Sequence, residues 1–142
     1  MLKLLKKLKW TSIVVFCALL LTPFVGLYLM NNGNPIHECI TNRHITEYLK
    51  EQGYSNAELA NAHFVAPNHS INKDFYYGHY MVKFKDDPEF TYYYGVTKRG
   101  KEVKQFCERN WIYSTTKQTN YYDKKNKSKH LEDDCVNRLD NK

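Results

Sequence analysis

The chain has 142 residues and a formal net charge of +6, from 21 Lys+Arg against 15 Asp+Glu. Four of those cations, Lys3, Lys6, Lys7 and Lys9, precede a long uncharged run, and the other 17 almost balance the acids. The basicity is therefore local, which argues against a nucleic-acid partner, and the residues beyond the run suffice for one small domain and no more.

Residues 1–9 read as a basic flank and residues 10–30 as a transmembrane helix. At about 1.5 Å per residue, Trp10 to Met30 reaches about 31 Å, close to a hydrocarbon core about 30 Å thick. Ile13, Val14, Val15, Phe16, Leu19, Leu20 and Leu21 carry much of the apolar load. Pro23 and Gly26 are tolerated in such helices, and Trp10 and Tyr28 suit the headgroup level at its two ends. The next basic residue after the span is Arg43. The lysine bias predicts a cytoplasmic N-terminus, with residues 31–142 outside the cell membrane. A basic start and an apolar run also describe a cleaved signal peptide; the run's length and the bulky Phe24 in Phe24-Val25-Gly26 favour a retained single-pass anchor. A lipoprotein reading at Cys17 is disfavoured by Phe16, too large for a lipobox.

Residues 31–110 are expected to form an extracytoplasmic α+β domain, and residues 111–142 a polar C-terminal extension. Asn34 is a candidate N-cap and Pro35 suits the first helical position, where its missing N–H costs nothing. A helix is predicted over Pro35–Gln52, with Ile36, Ile40, His44 and Tyr48 at four-residue steps beside Ile45 and Leu49, and Gly53 placed to end it. A weak strand comes next over Ala60–Ala66, stopped by Pro67, and then a polar loop over Asn68–Asp74. The next strand, Phe75–Lys85, alternates Tyr80, Val82 and Phe84 with His79, Met81 and Lys83. Asp86-Asp87-Pro88 is a turn, and the strand Phe90–Thr97 places Phe90, Tyr92, Tyr94 and Val96 on one face. Gly100 serves the next turn, before a short strand over Glu102–Cys107. Trp111-Ile112-Tyr113 reads as a further strand or a docking segment, Lys117–Lys129 as a flexible loop, and His130–Leu139 as a short helix. The predicted fold class is therefore α+β: a transmembrane helix, then one helix laid on a three- to four-stranded antiparallel sheet.

Twelve tyrosines in so short a chain fit strands packed on a half-buried sheet, or an aromatic recognition surface. Tyr77, His79 and Tyr93, on the faces opposite the expected core, are the candidate contact residues. Cys39, Cys107 and Cys135 are expected outside, where disulfides persist. They allow one bridge in three pairings, or none. Cys107–Cys135 is preferred, because it would staple the C-terminal residues back to the domain.

No catalytic motif emerges. No G-x-S-x-G occurs, no S-x-x-K supports a serine nucleophile, and no phosphate-binding glycine loop is present. His37, Cys39 and His44 match no standard zinc spacing. Glu132-Asp133-Asp134 reads as a solvated acidic run rather than a cation site. Neither a metal nor a cofactor is expected.

An anchor followed by Gly33-Asn34-Pro35, a helix ending in Tyr48-Leu49-Lys50-Glu51, and the strand pair around Asp86-Asp87-Pro88 resemble the Gram-positive membrane proteins grouped as domain of unknown function 3139. The resemblance covers roughly residues 1–105; the segment after Cys107 and the cysteines depart from it. It implies location and architecture, and it assigns no activity and no functional residue. The expected function is thus a non-enzymatic module that binds a protein partner at the cell surface, as an accessory, regulatory or immunity component. The alternative is a surface sensor for a peptide, lipid or small ligand.

Overall fold

In the computed structural model, which describes residues 2–67, 71–114, 117–121 and 128–141, the chain opens with helix α1 (Leu2–Asn32). Its stretch Lys9–Leu29, 21 residues with mean hydropathy 2.3, is long and apolar enough to cross a membrane. Pro23 lies inside it and leaves the carbonyl of Leu19 without its usual donor. One residue earlier the Thr22 hydroxyl donates to Ala18 O (2.9 Å), the kind of local satisfaction that membrane helices use. Gly33 adopts φ 78° and its N–H closes on Leu29 O (2.9 Å), ending the helix. Met1–Asn34 forms one unit and Pro35–Lys142 another.

The second unit begins with α2 (Pro35–Glu51), one residue short of the predicted end. Gly53 takes φ 88°, donates to Lys50 O (3.0 Å), and lets Tyr54 N–H reach back to Leu49 O (2.9 Å). This is a Schellman ending, which needs a residue free to adopt the left-handed conformation. It turns Tyr54 back over the sheet, where its ring lies 4.7 Å from that of Phe84.

Six strands complete the unit: β1 (Leu59–Val65), β2 (His79–Phe84), β3 (Phe90–Val96), β4 (Val103–Gln105), β5 (Arg109–Ser114) and β6 (Lys117–Tyr121). They pair antiparallel in the order β1-β2-β3-β5-β6, with β4 also on β3. β4 and β5 share one edge of β3. Tyr94 faces Gln105 and Thr91 faces Asn110, so two extra residues bulge out of that edge between β4 and β5, around Cys107 and Glu108.

The alternation read from the sequence puts Val82, Phe84, Tyr92, Tyr94 and Val96 against Ile45 and Leu49 of α2. The helix stripe is centred on Thr41, Ile45 and Leu49, with Ile40 and Tyr48 at its flank, while Ile36 is 66 % exposed. The stripe is thus rotated from the predicted Ile36–Ile40–His44–Tyr48 row.

The opposite sheet face is also covered. Ile71, Phe75, Tyr93 and Phe106 form a second cluster with Met81 and Val136. Gly95 makes this possible. A Cβ there would sit 2.6 Å from Phe106 and 2.8 Å from Phe75, whose rings meet edge to face at 5.1 Å across the bare backbone.

Three expectations are corrected. Residues 117–121 of the predicted loop form β6 against β5, since backbone pairing needs no apolar pattern; residues 122–127 of that loop, and 68–70 of the earlier one, lie outside the described residues. Residues 130–139 form turns rather than a helix. They also pack within the Pro35–Lys142 unit, so Asn110 does not mark the limit of the domain. Val136 bridges Phe106 in parallel, with Cys107 N–H donating to Val136 O (2.9 Å) and Val136 N–H to Gln105 O (2.9 Å).

Candidate interaction site

The C-terminal residues are held first by covalent chemistry. Cys107, on the bulge, is bonded to Cys135, while Cys17 and Cys39 are free and exposed. Further along, Arg138 N–H donates to the Glu108 carboxylate (2.9 and 3.1 Å), and Arg138 O accepts from Asn72 N–H (2.8 Å). The Arg138 guanidinium lies 5.6 Å from the centre of the Tyr93 ring, a cation–π distance.

This strap decides the fate of the three candidate contact residues. His79 is 4 % exposed and Tyr93 7 %. Their rings meet edge to face at 4.9 Å, and Asn110 Nδ2 donates to the Tyr93 hydroxyl (2.6 Å). Tyr77 is 40 % exposed, with its hydroxyl donating to Pro67 O. The three therefore do not share an open face: the strap and residues 71–75 lie over Tyr93. A legible signal existed in Phe90-Thr91-Tyr92-Tyr93-Tyr94, since a near-continuous apolar run marks a strand buried on both sides.

A polar network on the helix side fastens the start of the strap. The His130 ring stacks on Phe84, centroids 3.8 Å apart and 17° from parallel. His130 Nε2 lies 2.8 Å from Asp86 and Nδ1 lies 3.0 Å from the Tyr54 hydroxyl. In the neutral ring, Nε2–H donates to the carboxylate and Nδ1 accepts from the phenol. Lys129 also donates to Asp86. Hydrogen bonds from Lys129 and His130 together hold the Asp86 carboxyl down at about 2, from 3.8. Burial raises the pKa of Tyr54. This chain of Tyr, His and Asp ties the start of the strap to the end of α2 and to the turn after β2.

Beneath it, Gln105 is fully buried and all its polar atoms are used. Nε2 donates to the Tyr94 hydroxyl (2.8 Å) and to His130 O (2.8 Å), and Oε1 accepts from Glu132 N–H (2.8 Å). Glu132 has a raised pKa because burial opposes its charge, against hydrogen bonds from Tyr48 and Tyr94. The acidic run is therefore not uniformly solvated: Glu132 is half-buried, while Asp133 and Asp134 are exposed, Asp134 pairing with Lys104 (2.7 Å). On α2, His37 packs on Tyr76 (5.2 Å). Among the described residues no group of three His, Cys, Asp or Glu side chains is placed to hold a metal ion.

One open feature of the domain lies on the α2 face of the sheet, at its β1 side. A groove of about 370 Å³ runs between α2 and β1, bordered by Thr46, Leu49 and Lys50 on the helix and by Ala60 and Ala62 on the strand, with Tyr54 on its rim. Its origin is side-chain size. Ala62 stands opposite Val82, where a methyl group leaves unfilled the space that larger residues of β2 and β3 occupy under the helix. β1 is the last strand on this side of the sheet. Among the described residues, no backbone group outside the strand ladder bonds to residues 59–65. An exposed edge is legible in the sequence but the groove is not, because the small size of Ala60 and Ala62 hints at it only once α2 is known to lie alongside.

Residues 6–94 match the family described as protein of unknown function (DUF3139). The chain belongs to that family. The match runs from α1 to Tyr94 in β3, so the groove residues fall within it, while the disulfide and the strap lie beyond it. No curated protein and no solved structure matches the chain.

Proposed function

We propose that this DUF3139 protein is a single-pass membrane protein whose residues 31–142 lie outside the cell, where they bind a protein partner as an accessory, regulatory or immunity component without catalysing a reaction. The lysines ahead of the apolar helix support the orientation. The observation that carries the binding reading is the outer edge of β1, unpaired among the described residues and bordering an open groove beside an otherwise filled helix–sheet interface. Strand edges of this kind are used to take up partner segments. The hydroxyl and imidazole groups that most resemble catalytic ones are spent on fastening the strap.

A second reading, a sensor of a small ligand, draws on the groove volume, which falls at the lower end of the range that suits such ligands, about 300–1,000 Å³. Crosslinking in native membranes followed by purification of the full chain in mild detergent separates the two. A stoichiometric protein supports the first reading. A partnerless preparation that releases a small molecule on denaturation supports the second and rejects the first.

A further inference from the structure

Exposed strand edges invite unwanted pairing, and proteins ordinarily guard them with lysine, proline, inward charge or a bulge. β1, Leu-Ala-Asn-Ala-His-Phe-Val, contains neither lysine nor proline nor any acidic residue. Its one irregularity, the register shift between Leu59 and Asn61, leaves Asn61–Val65 in regular pairing with β2. Antiparallel pairing turns the N–H and C=O groups of alternate residues in this stretch outward. Beside them lies the groove, lined by neutral residues apart from Lys50. Lys50 is exposed and makes no ion pair among the described residues. A bare edge, a space for one side chain and a single cation describe complementary parts of one ligand.

We propose that β1 receives an extended segment of the partner protein as an additional strand, with an apolar side chain entering the groove over Ala62 and a neighbouring carboxylate meeting Lys50. The segment's main chain supplies the pairing, and the groove and the cation select the sequence, as in strand-addition recognition generally. This inference rests on the protein-binding reading above and names its site and the chemistry of its ligand.

The test presents the full-length protein, in lipid nanodiscs, to a displayed library of short random peptides. Enriched peptides are expected to carry an acidic residue next to an apolar one, and to slow amide hydrogen exchange within residues 61–65. Lys50→Glu, on the exposed helix surface, should weaken them at least about tenfold, equivalent to about 1.4 kcal/mol. Ala62→Trp, which fills the groove, should abolish binding. The proposal is overturned if no peptide is enriched, if enriched peptides bind both variants as well as the parent, or if protection appears elsewhere. Protection of residues 61–65 without peptide, together with a crosslinked dimer, would assign the edge to a second copy of the chain and would equally overturn it. A native partner that still co-purifies with both variants would leave the protein-binding reading standing and remove this site.

Discussion

His130 lies flat on Phe84, ring centroids 3.8 Å apart, so a residue from the C-terminal strap completes the apolar layer between α2 and the sheet. The same ring reaches Asp86 in the turn after β2 and Tyr54 just beyond α2. One side chain thus ties three segments that are remote in sequence.

Replacing it separates its two roles. His130→Ala loses the stack and both hydrogen bonds, and should cost about 2–4 kcal/mol. His130→Phe keeps the stack and should recover part of that loss, leaving the polar share. Chemical denaturation of both variants, read by circular dichroism, gives the comparison; equal stabilities would show that stacking contributes nothing.

The network also sets a pH dependence. Asp86 is held at about 2, below its ordinary 3.8, so it contributes stability above pH 3.8 that is lost as pH falls towards 2. Asp86→Asn should flatten the acid limb in that window. Glu132 has the opposite sign: its pKa is raised by burial, so its charge opposes folding once pH rises above its ordinary 4.5. Glu132→Gln is expected to raise the melting temperature at pH 7 by a few degrees, with the gain vanishing below pH 4. A gain that persists in acid would exclude the charge as its cause.

The strap depends on its covalent tie. Cys107 and Cys135 are 28 residues apart, and opening the bridge should cost about 3.5 kcal/mol by chain entropy. Cys107→Ser with Cys135→Ser should therefore lower the melting temperature and admit protease to residues 128–141, uncovering Tyr93. Unchanged proteolysis would mean that Arg138 and Val136 hold the strap unaided.

Gly95 is a packing requirement on β3. Gly95→Ala should destabilise by about 1–3 kcal/mol, because the new methyl meets two phenylalanine rings. In the double variant with Phe106→Leu the two costs should not add, since the smaller side chain makes room. Simple additivity would place the strain elsewhere.

Cys39 is free and exposed, which gives the orientation a direct probe. A membrane-impermeant maleimide should label it in intact cells without reductant. In Cys39→Ala, labelling should require reduction of the Cys107–Cys135 bridge first. Labelling only after lysis would reverse the topology.

Much of this domain was legible from local patterns. Gly53 announced the end of α2 because a Schellman ending needs a positive φ within a residue or two of the last turn. The faces of Val82, Phe84, Tyr92, Tyr94 and Val96 emerged from a period of two along two strands joined by a turn. His79 and Tyr93 lie on the face opposite the helix, as the alternation puts them, but that face is covered. Alternation says which residues share a face, yet it does not say whether a distant segment will cover that face. The bulge at Cys107 and the pairing of Val136 with Phe106 supply that cover, and neither leaves a local trace.

The sequence by itself determined the long apolar helix, the architecture of one helix on an antiparallel sheet, and the inward face of that sheet, because each rests on a pattern of neighbouring residues. Tertiary structure alone decided that the second face is closed by the strap, that His130 completes the core, and that Ala62 opens a groove beside the outer edge of β1. Those features depend on which remote segments meet, and a contact between distant positions carries no period for the sequence to display.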